Sequence, residues 1–184
     1  MVFNPDSPFM AWQRNVIDEF KDLPTSDIAA RLSERSNGFS VLMTHVAGDF
    51  NIGSVLRSAN FFGAKEFFYL GKKRFDRRSA VGVHNYTPVK FIEEQDVMRL
   101  KDVYTLVGLE NNVPDTVPMH RFDWRLQKPP CIVVGEEGDG IQSNIMGLCD
   151  HLVEIPNFGS VRSINVGAAA SMAMYDYVSK VRLT

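Results

Sequence analysis

Cysteine is scarce in this chain: Cys131 and Cys149 are the only two in 184 residues. Two thiols cannot build a disulfide framework or a cysteine-rich metal site, so both are read as core thiols in a protein of the reducing cytoplasm. Long apolar runs are missing as well, none approaching the roughly 20 residues that cross a bilayer. Residues Met1 to Met10, with Pro5, Asp6 and Pro8, have neither the basic nor the apolar stretch of an export signal. There is no basic excess: 20 Lys and Arg stand against 22 Asp and Glu, a formal charge of −2. A protein that coats nucleic acid by bulk electrostatics is thereby disfavoured.

What is present is an ordinary globular composition, 45% hydrophobic and 23% charged, at a length suited to one well-filled α/β core. Residues 1–38 read as a helical appendage, with Trp12, Val16, Ile17 and Phe20 at helical spacing and a second short helix around Ile28 to Leu32 that ends at Asn37-Gly38. From 39 to 184 a single domain is expected. Short β-branched runs at 39–47, 66–70, 88–92, 103–109, 131–135 and 151–155 alternate with helical or loop segments, which predicts a mainly parallel sheet flanked by helices. A closing helix is predicted over 164–181, and 111–130 reads as the longest irregular piece, a loop able to lie over a site. The charge that matters is local. Lys72, Lys73, Arg74, Arg77 and Arg78 put five of the 20 basic residues into seven positions, either a phosphate-binding patch or a solvated loop.

Three segments carry chemistry. In the first, Asn51-Ile-Gly-Ser-Val-Leu-Arg57-Ser-Ala-Asn60-Phe-Phe-Gly63, Asn51 suits a helix N-cap and Gly63 the left-handed position that ends a helix. Ile52, Val55, Leu56, Ala59 and Phe62 form one stripe, while Gly53, Arg57 and Asn60 share another face. A small residue one turn before an arginine lets a ligand come close while the guanidinium grips phosphate or ribose oxygens. A plain capped helix with a solvated arginine fits the same residues.

The second segment, Cys131-Ile-Val-Val-Gly135-Glu136-Glu137-Gly138-Asp139-Gly140-Ile141, is a buried strand running into a Gly-rich turn. In open α/β sheets ligands bind beyond the C-terminal strand ends. The glycines fit neither a dinucleotide fingerprint nor a phosphate loop, and three carboxylates suit hydroxyls, an amino group or a cationic sulfonium better than phosphate. A divalent metal site is also compatible with this loop. In the third, Val153-Glu-Ile155-Pro156-Asn-Phe-Gly159-Ser-Val-Arg162-Ser163-Ile164-Asn165-Val-Gly167-Ala-Ala-Ala170, a strand leads through a loop to a helix that Ser163 can cap. Ser163 and Asn165 flank Ile164 where free N–H groups point outward. The small run Gly167 to Ala170 equally reads as tight helix packing.

Taken in order, the three segments resemble the signature motifs of the SpoU (TrmH-like) family of RNA 2′-O-ribose methyltransferases. The matching positions are Asn51, Gly53, Arg57 and Phe62-Gly63; Gly135, Glu137, Gly140 and Ile141; and Ile155-Pro156, Gly159, Ser163, Asn165, Val166 and Ala169. Arg77-Arg78-Ser79-Ala-Val-Gly82-Val-His84 further resembles the connecting region of tRNA guanosine-18 methyltransferases. Asn157 stands where the family usually has Met, and Ile164 replaces the common Leu.

The resemblance implies a SPOUT fold with a C-terminal trefoil knot, an exception to the rule that chains do not thread loops. It also implies a homodimer with active sites at the interface, for which the small-residue face of helix 164–181 is a candidate contact, no metal, and S-adenosyl-L-methionine as methyl donor, leaving S-adenosyl-L-homocysteine. Carried across position by position, Leu109, Gly135, Glu137, Gly140, Ile155, Ser163, Ile164 and Asn165 would hold the cofactor. Arg57, Asn51, Glu137, Ser163 and Asn165 would form the catalytic set. The RNA, tRNA first and ribosomal RNA second, would meet Lys72, Lys73, Arg74, Arg77 and Arg78, the N-terminal appendage and the partner subunit, because the chain has little beyond the third motif. A non-catalytic RNA-binding protein that keeps the fold, and a metal-dependent hydrolase using Glu136, Glu137 and Asp139, are the competing readings.

Overall fold

The computed structural model describes residues 15–44, 49–71, 74–136 and 138–184. The expected N-terminal helix around Trp12 begins outside them; within them lie a 3-10 turn at Asp18–Phe20 and helix α1 (Thr25–Glu34). Seven strands follow: β1 (Ser40–Met43), β2 (Phe67–Tyr69), β3 (Val89–Phe91), β4 (Thr105–Leu109), β5 (Val117–Pro118), β6 (Pro130–Val134) and β7 (His151–Glu154). Between and after them come α2 (Asp49–Phe61), α3 (Glu94–Leu100), α4 (Ser143–Met146) and α5 (Val166–Val181).

The strands form one sheet in the order β3-β2-β1-β6-β4-β7-β5, every pairing parallel. In the central strands alternate side chains go to opposite faces, and both faces are covered. Val41, Met43, Ile132 and Val134 pack with Ile52, Val55, Leu56 and Ala59 of α2 and with Ala170, Ala173 and Met174 of α5. Leu42, Cys131 and Val133 pack the other way, against Val97 of α3, Ile145 of α4 and Ile141. Burial on both faces is why these strands read as continuous apolar runs. Cys131 is fully buried and its thiol is held far above its ordinary range by desolvation.

Helix α2 ends in a Schellman arrangement: Gly63, at φ +72°, donates to Asn60 O at 3.1 Å and Ala64 donates to Ala59 O at 2.8 Å. Asn37 docks there, its backbone N–H on Gly63 O and its Nδ2 on Phe62 O, both at 2.8 Å, while Tyr177 Oη of α5 donates to Asn37 O. Ahead of that anchor Phe20 and Ile28 bury against Tyr86, and a two-pronged Arg35 to Glu19 pair at 2.5 and 3.0 Å ties the 3-10 turn to the end of α1.

Three boundaries differ from the sequence reading. Asn51 lies inside α2, which starts at Asp49. Helix α5 begins at Val166, and Asn165 rather than Ser163 is its cap, accepting from the N–H groups of Gly167 at 2.9 Å and Ala168 at 3.4 Å. The stretch 111–130 contains β5 and a 3-10 turn at Met119–Arg121, then buries Phe122 and Trp124 beneath α5. Trp124 Nε1 donates to Asp176 Oδ2 at 2.7 Å, and Lys180 Nζ reaches Asp176 and the carbonyls of Met119 and Phe122. A non-periodic segment is here fixed by tertiary burial of its aromatics. Among the described residues no helix is long and apolar enough to cross a membrane.

Candidate active site

The C-terminal ends of β4, β6 and β7 open into a cavity of about 510 Å3. Its walls are the loop after β4 (Leu109 to Asn112), the loop after β6 (Val134 to Gly140 in the described residues) and the loop from Ile155 to Ile164 that leads into α5, with Val166 and Ala169 beneath. The volume suits a nucleoside-sized ligand. Leu109, Gly135, Gly140, Ile155, Ser163 and Ile164, which sequence motifs place far apart, all line it. Glu137 lies outside the described residues, as do Lys72 and Lys73.

The loop after β6 folds back on itself. Glu136 and Gly140 exchange both backbone hydrogen bonds at 3.0 Å, an antiparallel bridge. This return brings Gly140 so close to Gly135 that a Cβ on Gly135 would lie 2.0 Å from Gly140 C and 2.3 Å from Ile141 N. Gly140 is itself left-handed, at φ +68°. The glycines are therefore required by the hairpin's own closeness, and the result is bare backbone facing the cavity.

Sequence reasoning missed two residues that brace this hairpin and its neighbour. Glu110, directly after β4, accepts from Ile141 N–H at 2.8 Å through Oε2 and from Asn111 N–H at 3.1 Å through Oε1. Asn111 pairs with the backbone of Ile155 in both directions, Nδ2 donating to Ile155 O at 2.9 Å and Oδ1 accepting from Ile155 N–H at 3.1 Å. The available signal was positional: two polar residues at the C-terminal end of a buried strand. Asn157, the departure from the family pattern, lines the cavity with its side chain engaged inside its own loop, Oδ1 accepting from Gly159 N–H at 2.8 Å and Nδ2 donating to Val161 O. Around it Phe158 is 98% exposed and Val161 62%.

Charge in the cavity is mixed. Glu110, Glu136 and Asp139 contribute carboxylates and Arg162 a guanidinium. Among the described residues no group of three or more His, Cys, Asp and Glu is placed to hold a metal ion.

Arg57 does not line the cavity. It is exposed on α2, at helical spacing between Phe50 and Phe61, which are 60% and 80% exposed. Asn51 of the same helix meets Asn165 at the start of α5, Nδ2 of Asn165 donating to Asn51 Oδ1 at 3.4 Å, so the first and third motifs do meet. Gly53 answers a different need from ligand approach. A Cβ there would sit 2.0 Å from Ser79 Oγ and 2.7 Å from Ala80 N, so its missing side chain admits the turn that follows the basic stretch. Ser79 Oγ then donates to Phe50 O at 2.8 Å. Within the stretch Arg78 is paired with Asp76, holding that carboxyl down at about 2. Next to the turn, His84 has its Nδ1 buried without a hydrogen-bond partner among the described residues, and desolvation, then the nearby Arg77, lower its pKa.

Fold and cavity together define an α/β protein whose ligand seat is built from loops at the C-terminal edge of a parallel sheet, the crevice such sheets use for binding. The pattern of the SpoU rRNA methylase family matches residues 38–175, and the chain belongs to that family. It is 25% identical over 168 residues to a 23S rRNA (guanosine-2′-O-)-methyltransferase of Haemophilus influenzae, covering 86% of this chain and 66% of the relative. To the tRNA (guanosine(18)-2′-O)-methyltransferase of Escherichia coli it is 25% identical over 154 residues, 81% of this chain and 66% of the relative. Among solved structures, the SpoU methyltransferase AviRb from Streptomyces viridochromogenes in complex with AdoMet superposes with a TM-score of 0.69 at 28% identity, covering 79% of this chain and 58% of that one. The curated relatives it matches are longer, the chain spanning from 11% to 66% of their lengths in these comparisons.

Proposed function

We propose that this chain transfers a methyl group from S-adenosylmethionine to a ribose 2′-hydroxyl of RNA, with tRNA the first substrate class and ribosomal RNA the second. The observation that carries the reading is the single cavity in which the second and third family motifs converge on bare backbone at Gly135 and Gly140. The residues fit the donor: Leu109, Ile155 and Ile164 offer apolar walls for a base, and the carboxylates favour a cation. When bound, S-adenosylmethionine supplies a methyl group on a sulfonium centre, and S-adenosylhomocysteine is left after transfer.

Leu109, Gly135, Gly140, Ile155, Ser163 and Ile164 would hold the donor, with Glu137 reserved to the same loop and Asn51 and Asn165 shaping the junction of α2 and α5. In-line placement of two reactants is worth ~7–11 kcal/mol of barrier. A guanidinium is a standing cation and a poor base, so Arg57 polarises the hydroxyl and its neighbouring phosphate and stabilises the developing alkoxide.

Arg57 needs something to bring it to a seat it does not line, and a second copy of the chain does so in this reading. In α5, Gly167 and Ser171 are taken up by α2, Ser171 Oγ meeting Ser58 Oγ at 2.8 Å. Ala168, Met172 and Tyr175 of α5 are left exposed, as are Phe50, Arg57 and Phe61 of α2. Such an apolar face suits an isologous homodimer with sites at the interface. The trefoil knot belongs to the same proposal, supported by the insertion of β6 between β1 and β4. Arg74, Arg77 and Arg78 with Lys72 and Lys73 would meet RNA phosphates, and the 77–84 segment favours a guanosine-18-type site in tRNA.

Calorimetric titration with S-adenosylmethionine, with and without chelator, followed by methyl transfer to tRNA and ribosomal RNA, tests the reading. Metal-independent binding and ribose methylation are expected. Binding without methylation of any RNA would turn the assignment toward an RNA-binding protein, and absence of binding would overturn it.

A further inference from the structure

Glu110 and Asn111 belong to none of the three motifs, yet together they touch all the loops of the cavity. Glu110 closes the hairpin after β6, and Asn111 holds the chain leaving β7 at Ile155. We propose that the Glu110-Asn111 pair is the clasp of the donor seat, and that Glu110 is its positioning residue, fixing the hairpin in the shape that presents Gly135 and Gly140 to the ligand. The inference rests on the donor assignment above for its functional meaning.

Four observations converge. The Glu110 carboxylate takes two backbone donors, Ile141 N–H at 2.8 Å and Asn111 N–H at 3.1 Å, bonds strengthened by the acceptor's charge. Its Oε2 stands 2.3 Å from where a Cβ on Gly140 would be, so glycine at 140 and glutamate at 110 are a matched pair. The hairpin's closing bridge, Glu136 to Gly140, lies directly beside the clasped Ile141. Finally, the Ile141 side chain is 2% exposed in the sheet's second core cluster, so the end of the hairpin stays anchored with or without the clasp. Loss of Glu110 therefore frees the hairpin backbone while leaving the core alone. That separates positioning of the seat from holding up the fold.

The test compares wild type, Glu110→Ala and Glu110→Gln. Removing a charged acceptor from two backbone donors should weaken S-adenosylmethionine binding ~10- to 100-fold in Glu110→Ala. Glu110→Gln should fall between, because its oxygen can still accept from Ile141 while its amide nitrogen confronts the Asn111 N–H. In turnover the KM for the donor should rise while kcat at saturating donor is largely kept; a fold defect would instead cut kcat in proportion to lost protein. Amide exchange of Gly140 and Ile141, measured without ligand, should accelerate in Glu110→Ala while the amides of β6 remain protected. Unchanged donor affinity, or unchanged exchange at Ile141, overturns the clasp. Should wild type fail to bind the donor, the proposed function falls, and the exchange measurement alone still decides whether Glu110 holds the hairpin.

Discussion

The substitution Gly135→Ala adds one methyl group and should cost the protein its ligand. The new Cβ would lie 2.0 Å from Gly140 C, 2.2 Å from Gly140 O and 2.3 Å from Ile141 N. All three are backbone atoms, so no rotamer change relieves the contact; the hairpin has to open. Opening breaks the Glu136 and Gly140 pair of hydrogen bonds. At ~0.5–1.5 kcal/mol each, two bonds amount to ~1–3 kcal/mol, or about 5- to 150-fold in affinity if ligand binding must restore the closed shape. Global stability should fall less, because Val134 and Ile141 on either side stay buried in the two core clusters. Calorimetry gives the dissociation constant for S-adenosylmethionine and a thermal melt gives the stability. A Gly135→Ala variant that binds within about twofold of wild type would refute the claim that the closed hairpin is the seat.

Further outcomes follow from other parts of the structure. Arg57→Ala should abolish methyl transfer while donor affinity stays nearly intact, since Arg57 does not line the cavity; wild-type rates would remove it from the mechanism, and Arg57→Lys separates point charge from planar geometry. Neutralising Lys72, Lys73 and Arg74 together should weaken RNA binding and flatten its logarithmic salt dependence by up to ~3 units, at about 0.9 per lost phosphate contact; an unchanged slope makes the stretch a solvated loop. His84, whose pKa is lowered by burial and by Arg77, gains protons more readily in the unfolded chain. Its contribution to stability is thus complete above the unfolded value of about 6.5 and is lost as pH falls below it toward the folded value. Melts from pH 7.5 to 5.5 should show this decline in wild type and a shallower one in His84→Gln.

Much of the architecture was legible because burial on both faces leaves β-branched runs that cannot be mistaken for amphipathic helix. Gly63 likewise declared the end of α2, as only a left-handed residue completes that cap. Other positions depended on information that periodicity does not carry. Asn165 and Ser163 are both good caps, and which one serves depends on where the chain leaves the cavity loop. Gly53 was read as an approach for ligand because nothing local shows that Ser79 and Ala80 fill the gap. Phe122 and Trp124 have no helical or strand period, and their burial is decided by α5, some fifty residues later. Glu110 and Asn111 hold loops distant in sequence, and a carboxylate after a strand does not announce which amide it will meet.

The seam between β1 and β6 sets a timetable for the chain. Val41 must wait for Ile132, and Leu42 for Val133, before the middle of the sheet can close. At a synthesis rate of roughly 5–20 residues per second, the β1 edge spends several seconds with only β2 beside it. During that interval the apolar faces that α5 will cover are open to other chains, and non-local pairing of this kind is intrinsically slow even in the finished polypeptide. Lower expression temperature and added chaperone should therefore raise the yield of folded protein.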